Sequence, residues 1–201
     1  MSSRSPRQRR HEKTKQEILQ TALGLIKEVG FENLSLREIA RRVDYSPAGL
    51  YEYFDSKEGI IQALSNEGNR QLLEALSSIQ KNQSRSVTCY LVEMCLAYID
   101  FALHKREYFT LMSNLPSERT TIDEPVRADS PYAVYLETVQ AAIAGGEIQI
   151  RENFGPEEIT YSLWAFVHGM ATLRLTHLMH FQANFEPVNR LSLELYLASL
   201  A

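Results

Sequence analysis

The chain has 201 residues and a formal net charge of −4 at pH 7, with 9 glycines, 7 prolines and 2 cysteines. A chain of this length can bury a core without disulfides or metal ions, and so few glycines and prolines argue against a turn-rich all-β fold. We therefore predict an all-α fold. The net charge conceals an asymmetry, because residues 1–57 carry a balance of +3 and residues 58–201 carry −7. This division indicates a polyanion-binding module joined to a second, acidic module.

Membrane and secreted classes are disfavoured by the distribution of apolar residues. No run of 18 apolar residues occurs, and the basic opening segment is not followed by an apolar signal-peptide core. Cys89 and Cys95 fall six residues apart in one predicted helix, which is too far for a disulfide. We expect a cytoplasmic protein that contacts no membrane and needs no cofactor or metal.

The first twelve residues are strongly basic and are predicted to form a disordered arm. Arg7, Arg9 and Arg10 lie within it. Two interpretations are open: the arm tracks phosphates or enters a minor groove, or it is a solvated end without a binding role.

Residues 13–57 are predicted to form a compact helical head. A helix over 13–29 ends at Gly30, and Ser35 with Glu38 has the spacing of a capping box that opens a second helix to about residue 43. Asp44 then occupies a tight turn, where aspartate is one of the few residues that tolerate a left-handed backbone.

A third short helix follows this turn, opened by Ser46 as the cap and Pro47 at its first position, and runs to about Phe54. Two short helices joined by a tight turn are typical of a helix-turn-helix, whose second helix enters the DNA major groove. Small side chains in the first turn allow close approach to base edges, whereas Leu50 and Phe54 face the core. The side chains of Tyr51, Tyr53 and Lys57 are of types that bind phosphate.

The stretch ILQTALGLIKEVGFENLSLREIARRVDYSPAGLYEYFDSKEGI resembles the DNA-binding domain of the TetR family of transcriptional regulators, over about residues 13–61. This resemblance implies a three-helix head, a fourth helix leading into an all-helical ligand-binding body (58–201), and a homodimer on palindromic double-stranded DNA. It places Ser46, Pro47, Ala48 and Gly49 against bases. It places Ser35, Tyr51, Tyr53 and Lys57 against phosphates. Asp44 and Tyr53 depart from the family pattern, which usually has Gly and His there.

The body is predicted to contain a helix over 57–80 and five more, over 85–104, 106–114, 130–144, 156–180 and 188–200, with the longest loop at 116–129. The leucines of 191–197 alternate with a period of two, which alone would suggest a strand, but no partner strand is evident. The helix over 156–180 is apolar on two faces, which predicts a dimer interface shared with the last helix. The residues assigned to it are Val167, Ala171, Leu175, Leu178, Leu193 and Leu197.

An effector pocket is predicted from aromatic and methionine side chains, although an ordinary core has the same composition. Its candidates are Tyr90, Met94, Tyr98, Phe101, Phe109, Met112, Tyr135, Val139, Trp164 and His168. Trp164, His168 and Gly169 also resemble the Trp-His-Gly pattern of one TetR subgroup, and plain packing is the alternative.

We predict a homodimeric transcriptional regulator, a repressor that a small apolar or aromatic effector releases from its operator, and not an enzyme. A helical adaptor that acts through protein partners is the main alternative. Metal sensing through His104, His177 and His180 and redox sensing through the two cysteines are weaker ones.

Overall fold

A computed structural model describes residues 5–79, 86–116 and 126–201 of the chain. It confirms the all-α prediction, since the described residues form helices and connecting turns, with one isolated β-bridge between Arg151 and Phe154. Most of the predicted 116–129 loop lies outside the described residues. In chain order the helices are α1 (Pro6–Val29), α2 (Leu36–Arg42), α3 (Pro47–Leu50), α4 (Lys57–Ser78), α5 (Val87–His104), α6 (Arg106–Asn114), α7 (Pro131–Ala144), α8 (Pro156–Leu175) and α9 (Glu186–Ala198).

Helix α1 begins seven residues earlier than the sequence pattern predicts. The Ser5 hydroxyl accepts from the Gln8 N–H at 3.3 Å, and the Gln8 side chain accepts from the Ser5 N–H at 2.8 Å. Pro6 occupies the first helical position, where its missing N–H costs nothing. This capping box makes residues 6–12 helical, so the prediction of a disordered arm is wrong for them; residues 1–4 lie outside the described part of the chain.

The chain divides into two compact units, the first formed by residues 1–68 and 107–115 and the second by 69–106 and 116–201. The boundary predicted between the DNA-binding head and the body, at residue 57, differs from this division into compact units. The predicted boundary stays a prediction. In the first unit, Ile18, Ile39 and Leu50 are almost fully buried. Helix α6 belongs to this unit because Gly68 lets α4 approach it closely: a Cβ at Gly68 would lie 2.7 Å from Met112 Sδ and 3.1 Å from Tyr108 Cβ.

The second unit is built around α5, which packs against α7, α8 and α9. Helix α5 is long and apolar enough to cross a membrane by those two measures alone. Its buried residues, which include Leu91, Met94 and Cys95, account for that apolar character by packing inside the unit. Glu147 caps the helix from 60 residues away, accepting from the N–H groups of Val87 and Thr88 at 2.9 Å each. The hydrogen bond from the Thr88 N–H is the main cause that lowers the pKa of Glu147.

The last two helices of the second unit bear on two predictions made from the sequence. Helix α8 ends at Leu175 instead of continuing to residue 180, and residues 176–180 form turns. The alternating leucines belong to α9, so the choice of helix over strand is confirmed. A strand needs hydrogen-bonded neighbours, and Leu193 and Leu197 instead lie four residues apart on the buried face of a helix.

The two cysteines occupy opposite environments, and this difference leads to a prediction about thiol reactivity. Cys89 is exposed, whereas Cys95 is fully buried and its thiol pKa is raised by that burial. We expect a disulfide reagent to label Cys89 rapidly in the native protein. Cys95 should react more slowly by about 100-fold or more, because only unfolding exposes its thiol. Kinetic labelling of Cys89→Ser should lose the fast phase, and Cys95→Ser should keep it. A fast phase that survives in Cys89→Ser contradicts the prediction.

Candidate nucleic-acid interface

The turn between α2 and α3 is set by local backbone chemistry. Asp44 adopts φ 57°, as the tight-turn prediction requires, and the following Tyr45 N–H donates to the Ala40 carbonyl at 2.9 Å. Ser46 then caps α3, its hydroxyl accepting from the Gly49 N–H at 3.0 Å, and Pro47 follows at the first helical position. The predicted cap and turn are therefore confirmed, and together they fix the direction in which α3 leaves the turn.

The first turn of α3 presents a small, exposed surface. Ser46, Pro47 and Ala48 are exposed and Gly49 is half-buried, whereas Leu50 is almost completely buried behind them. A Cβ at Gly49 would lie 3.3 Å from Ser46 Oγ and 3.4 Å from Tyr45 Cδ1. The surface therefore has backbone and small side chains at the position where a groove-reading helix approaches base edges.

Three of the four predicted phosphate-binding residues lie where a polyanion can reach them. The Ser35 side chain is exposed and makes no cap hydrogen bond, and Tyr51 is 55% exposed. Lys57 donates one N–H to the Glu32 carbonyl at 2.8 Å, which leaves two of its three ammonium donors for another acceptor.

Tyr53, the fourth of these residues, makes contacts inside the first unit. Its ring stacks on His11 with centroids 4.7 Å apart and meets the Tyr45 ring edge-on at 5.9 Å. A hydrogen bond with the Tyr45 side chain is the main cause that raises the pKa of Tyr53. Tyr53 therefore fastens α1 to the segment after α3. Its assignment to phosphate contact stays a prediction, because Tyr53 is half-buried, as Lys57 is. No local sequence pattern indicates that His11, 42 positions away, stacks on its ring.

The arginines at the end of α2 are neutralised by neighbouring carboxylates. Glu38 bonds to Arg41 Nε at 2.8 Å and to Arg42 Nε at 2.9 Å, and Arg42 also bonds to Glu28 at 2.7 Å. The hydrogen bond from Arg41 is the main cause that lowers the pKa of Glu38 to about 2. The predicted capping box at Ser35 does not form, because Glu38 is held by these guanidinium groups.

Comparison with known proteins matches both halves of the chain. Residues 18–64 match the family model described as bacterial regulatory proteins, tetR family. Residues 91–199, more than half of the chain, match the model described as tetracyclin repressor-like, C-terminal domain. The chain belongs to the TetR family. Members of this family bind DNA and small-molecule ligands and act as dimers.

Individual relatives and solved structures share only low sequence identity with this chain. A probable HTH-type transcriptional regulator, YttP of Bacillus subtilis, is 34% identical over 89 residues, covering 42% of this chain and 43% of that protein. The chain thus matches less than half of the length of its curated relatives. A protein of unknown function from Rhodococcus sp. RHA1 has a TM-score of 0.75 at 24% identity, covering 94% and 95% of the two chains. A tetR-family regulatory protein from Rhodococcus RHA1 has a TM-score of 0.69 at 19% identity, covering 94% and 97%. These similarities show a shared fold.

The predicted effector residues divide between the two units of this TetR-family chain. Phe109 and Met112 belong to the first unit and the other eight to the second. Five of those eight are core residues that are at most 7% exposed: Met94, Tyr98, Phe101, Tyr135 and Val139. Tyr135 is held by a hydrogen bond from its hydroxyl to the Met94 carbonyl at 2.8 Å. The effector role of the set stays a prediction.

The Trp-His-Gly segment forms a hydrogen-bonded aromatic cluster with α5. The Trp164 indole N–H donates to the Tyr98 hydroxyl at 3.3 Å, and that oxygen lies 2.9 Å from His168 Nδ1. Burial raises the pKa of Tyr98 to about 12 and lowers the pKa of His168. The Tyr132 ring meets Trp164 edge-on at 6.3 Å. Trp164 remains 45% exposed, so one side of the cluster is open to solvent.

A groove of about 470 Å³ lies elsewhere in the second unit, beside the first turn of α5 and along α9. Thr88, Val92 and Leu197 contribute to its walls, and an ion pair between Arg190 and Glu93, with 2.7 Å between Nη1 and Oε1, lies among its polar groups. The residues predicted for the effector pocket do not line it.

The predicted dimer interface requires a correction. Val167, Ala171, Leu193 and Leu197 are at most 2% exposed within a single chain, so they form its core and cannot contact a partner. Leu175 and Leu178 are half-buried. Apolar residues on the outer faces of α8 and α9 are exposed instead: Tyr161, Trp164, Phe166, Leu173, Val188, Leu191 and Leu195. Because α8 is apolar on both sides, periodicity alone could not tell which side faces inward.

Proposed function

We propose that this protein is a homodimeric transcriptional repressor that binds a palindromic operator and is released from it by a small apolar or aromatic effector. The observation that carries the proposal is the exposed, small-residue first turn of α3, capped by Ser46 in a helix-turn-helix. Docked in a major groove, this turn brings Ala48 and Gly49 against base edges, and Tyr51 and Lys57 flank it for the phosphates.

Dimer formation is supported by the exposed apolar face of α8 and α9. On α9, Val188, Leu191 and Leu195 recur at intervals of three and four residues, so they form one stripe, and each is more than half exposed. On α8, a Cβ at Gly169 would meet nothing within 4 Å, which leaves room for another helix backbone. A second copy that packs the same two helices against this face completes a four-helix interface and brings two recognition helices onto one operator.

The effector is proposed to bind in the second unit, beside the aromatic cluster of Trp164, His168 and Tyr98, as the Trp-His-Gly resemblance suggests. A flat apolar or aromatic molecule can stack on the exposed indole while an oxygen on it accepts from or donates to the polar groups of the cluster. Helix α4 begins in the head and ends in the second unit, so ligand binding that favours another orientation of α4 would change operator affinity. The change in operator affinity cannot exceed the difference between the effector's affinities for the DNA-binding state and the released state.

We place this regulator in the cytoplasm.

The experiment that tests DNA binding is selection of bound sequences from a random double-stranded pool with the purified chain. We expect a palindrome whose half-site centres lie about 34–36 Å apart. Affinity for it should fall steeply with salt, with a log–log slope of about −0.9 per phosphate contact. Enrichment of no sequence, together with binding that does not depend on salt, would exclude the proposal in favour of the protein-binding adaptor.

Two substitutions separate phosphate contacts from base contacts. We expect Tyr51→Phe and Lys57→Ala each to weaken binding by about 3- to 30-fold for operator and unrelated DNA alike, because phosphates carry no sequence information. The measurement is a titration of both DNAs at one salt concentration. A variant that changes only the ratio between operator and unrelated DNA would show that the residue reads bases.

A further inference from the structure

We infer that one face of the first helical turns of α1, formed by Arg7 and Arg10, is a second DNA-binding surface that contacts backbone phosphates beside the recognition helix. This inference rests on the proposed function and names further partners of the same site. The sequence predicts a disordered basic arm at these residues. Because they are helical from Pro6 onward, the arginines lie on defined faces of α1.

The surface is held in place by contacts with the segment that follows α3. His11 stacks on Tyr53, and its Nε2 lies 3.4 Å from the Glu52 carbonyl. One turn further along, the Lys15 ammonium lies 5.1 Å from the centre of the Phe54 ring. Both contacts join α1 to residues 52–54, which directly follow the exposed Tyr51 proposed to bind phosphate. The beginning of α1 is thus attached next to the proposed interface.

Helical periodicity then decides which cations are on that side. The Thr14 side chain hydrogen-bonds to Tyr53, as part of the same contact face. Around the helix, Arg7 lies about 40° and Arg10 about 100° from His11, both towards the side of Thr14. Arg9 and Lys13 are rotated by roughly a third to half a turn from that face. Arg7 and Arg10 are both exposed. An exposed guanidinium is suited to phosphate because its planar set of donors matches the phosphate oxygens.

The opposite face supplies a matched control in the same helix. Lys13 lies 3.6 Å from the Glu17 carboxylate, and Arg9 is exposed like Arg7. The double variant Arg7→Gln/Arg10→Gln and the double variant Arg9→Gln/Lys13→Gln remove the same charge from the same helix. Glutamine keeps a high helix propensity in both, so each variant should remain helical. A difference in DNA affinity between the two variants therefore reports which face of α1 meets DNA, because both variants change the net charge equally.

The experiment measures affinity of each full-length variant for the selected operator over a salt series. We expect Arg7→Gln/Arg10→Gln to reduce the magnitude of the log–log slope by about 0.9 for each phosphate that the variant no longer neutralises, with the base preference unchanged. Arg9→Gln/Lys13→Gln should change the slope by less than half as much. Hydroxyl-radical footprinting should show weaker protection of sugars flanking the base-reading region only for the first variant. An unaltered slope in that variant, or equal reductions in the two variants, overturns the inference.

His11 is tested as a positioning residue. His11→Ala should lower the salt slope by itself, and adding Arg7→Gln/Arg10→Gln to it should produce little further decrease, because the arginines are already misplaced. Fully additive effects would contradict positioning by His11. Failure of the proposed function looks different, since the wild-type chain would then select no operator.

Discussion

Replacing Leu195 with arginine is expected to convert the proposed dimer to monomers. Leu195 is 62% exposed in a single chain, so the monomer accommodates the charge in water, whereas an interface on α9 would bury it twice, without a partner. We expect the dimer dissociation constant to rise by about 100-fold or more, and operator affinity to fall with it because each monomer holds one half-site. Light scattering over a concentration series measures the first effect and DNA titration the second.

The control for this substitution is Val29→Arg, which places the same charge on an exposed apolar residue of the first unit. It should leave the oligomeric state unchanged. If the Leu195→Arg protein remained dimeric, the dimer interface could not include this part of α9. Val167 and Leu193 are unsuitable for this test, because charges at these buried positions would unfold the chain instead of separating two chains.

Gly49→Leu is expected to abolish specific operator binding while the protein remains folded. Gly49 is half-buried at the surface of α3, and leucine would place several carbon atoms between the helix and the base edges. We expect at least a 100-fold loss of affinity for the operator. Gly49→Ala should lose less, because one Cβ meets Ser46 Oγ at 3.3 Å and can be accommodated by a shift of a few tenths of an ångström. DNA titration and thermal unfolding of both variants provide the comparison.

Gly24→Leu is the matched control for this second prediction. Gly24 lies in α1 of the same unit, and a Cβ there would meet nothing within 4 Å. The same substitution should therefore leave operator affinity within about 3-fold of the wild-type value, since an exposed surface position rarely changes stability by more than about 0.5 kcal/mol. If Gly49→Leu still bound the operator normally, the first turn of α3 could not be the element that enters the major groove.

Local chemistry made much of the fold predictable from sequence. Ser46 and Asp44 act on neighbours within a few residues, and their roles are confirmed by the hydrogen bond to Gly49 and the positive φ. Gly30 likewise ends α1 with φ 82°. Such features depend on the backbone and one side chain, so tertiary structure has little opportunity to override them.

The errors arose where several partners compete for one group. Glu38 has the spacing of a capping box, but two arginines on its own helix bind it more strongly. The capping box that does form, at Ser5 and Gln8, lies in a basic run whose composition suggested disorder. Which face of α8 is buried depends on α5 and α7, and the distribution of apolar residues along α8 itself does not contain that information.

The close approach of α4 and α6 at Gly68 has a consequence for how the protein folds during synthesis. The first unit cannot complete its core when residue 68 leaves the ribosome, because Tyr108, Phe109 and Leu111 belong to the same unit and are still to be translated. At about 5–20 residues per second, the apolar surface of the first unit that α6 covers stays exposed for several seconds. A fragment that ends near residue 68 exposes that surface permanently, so a fragment meant to reproduce the whole first unit must include α6.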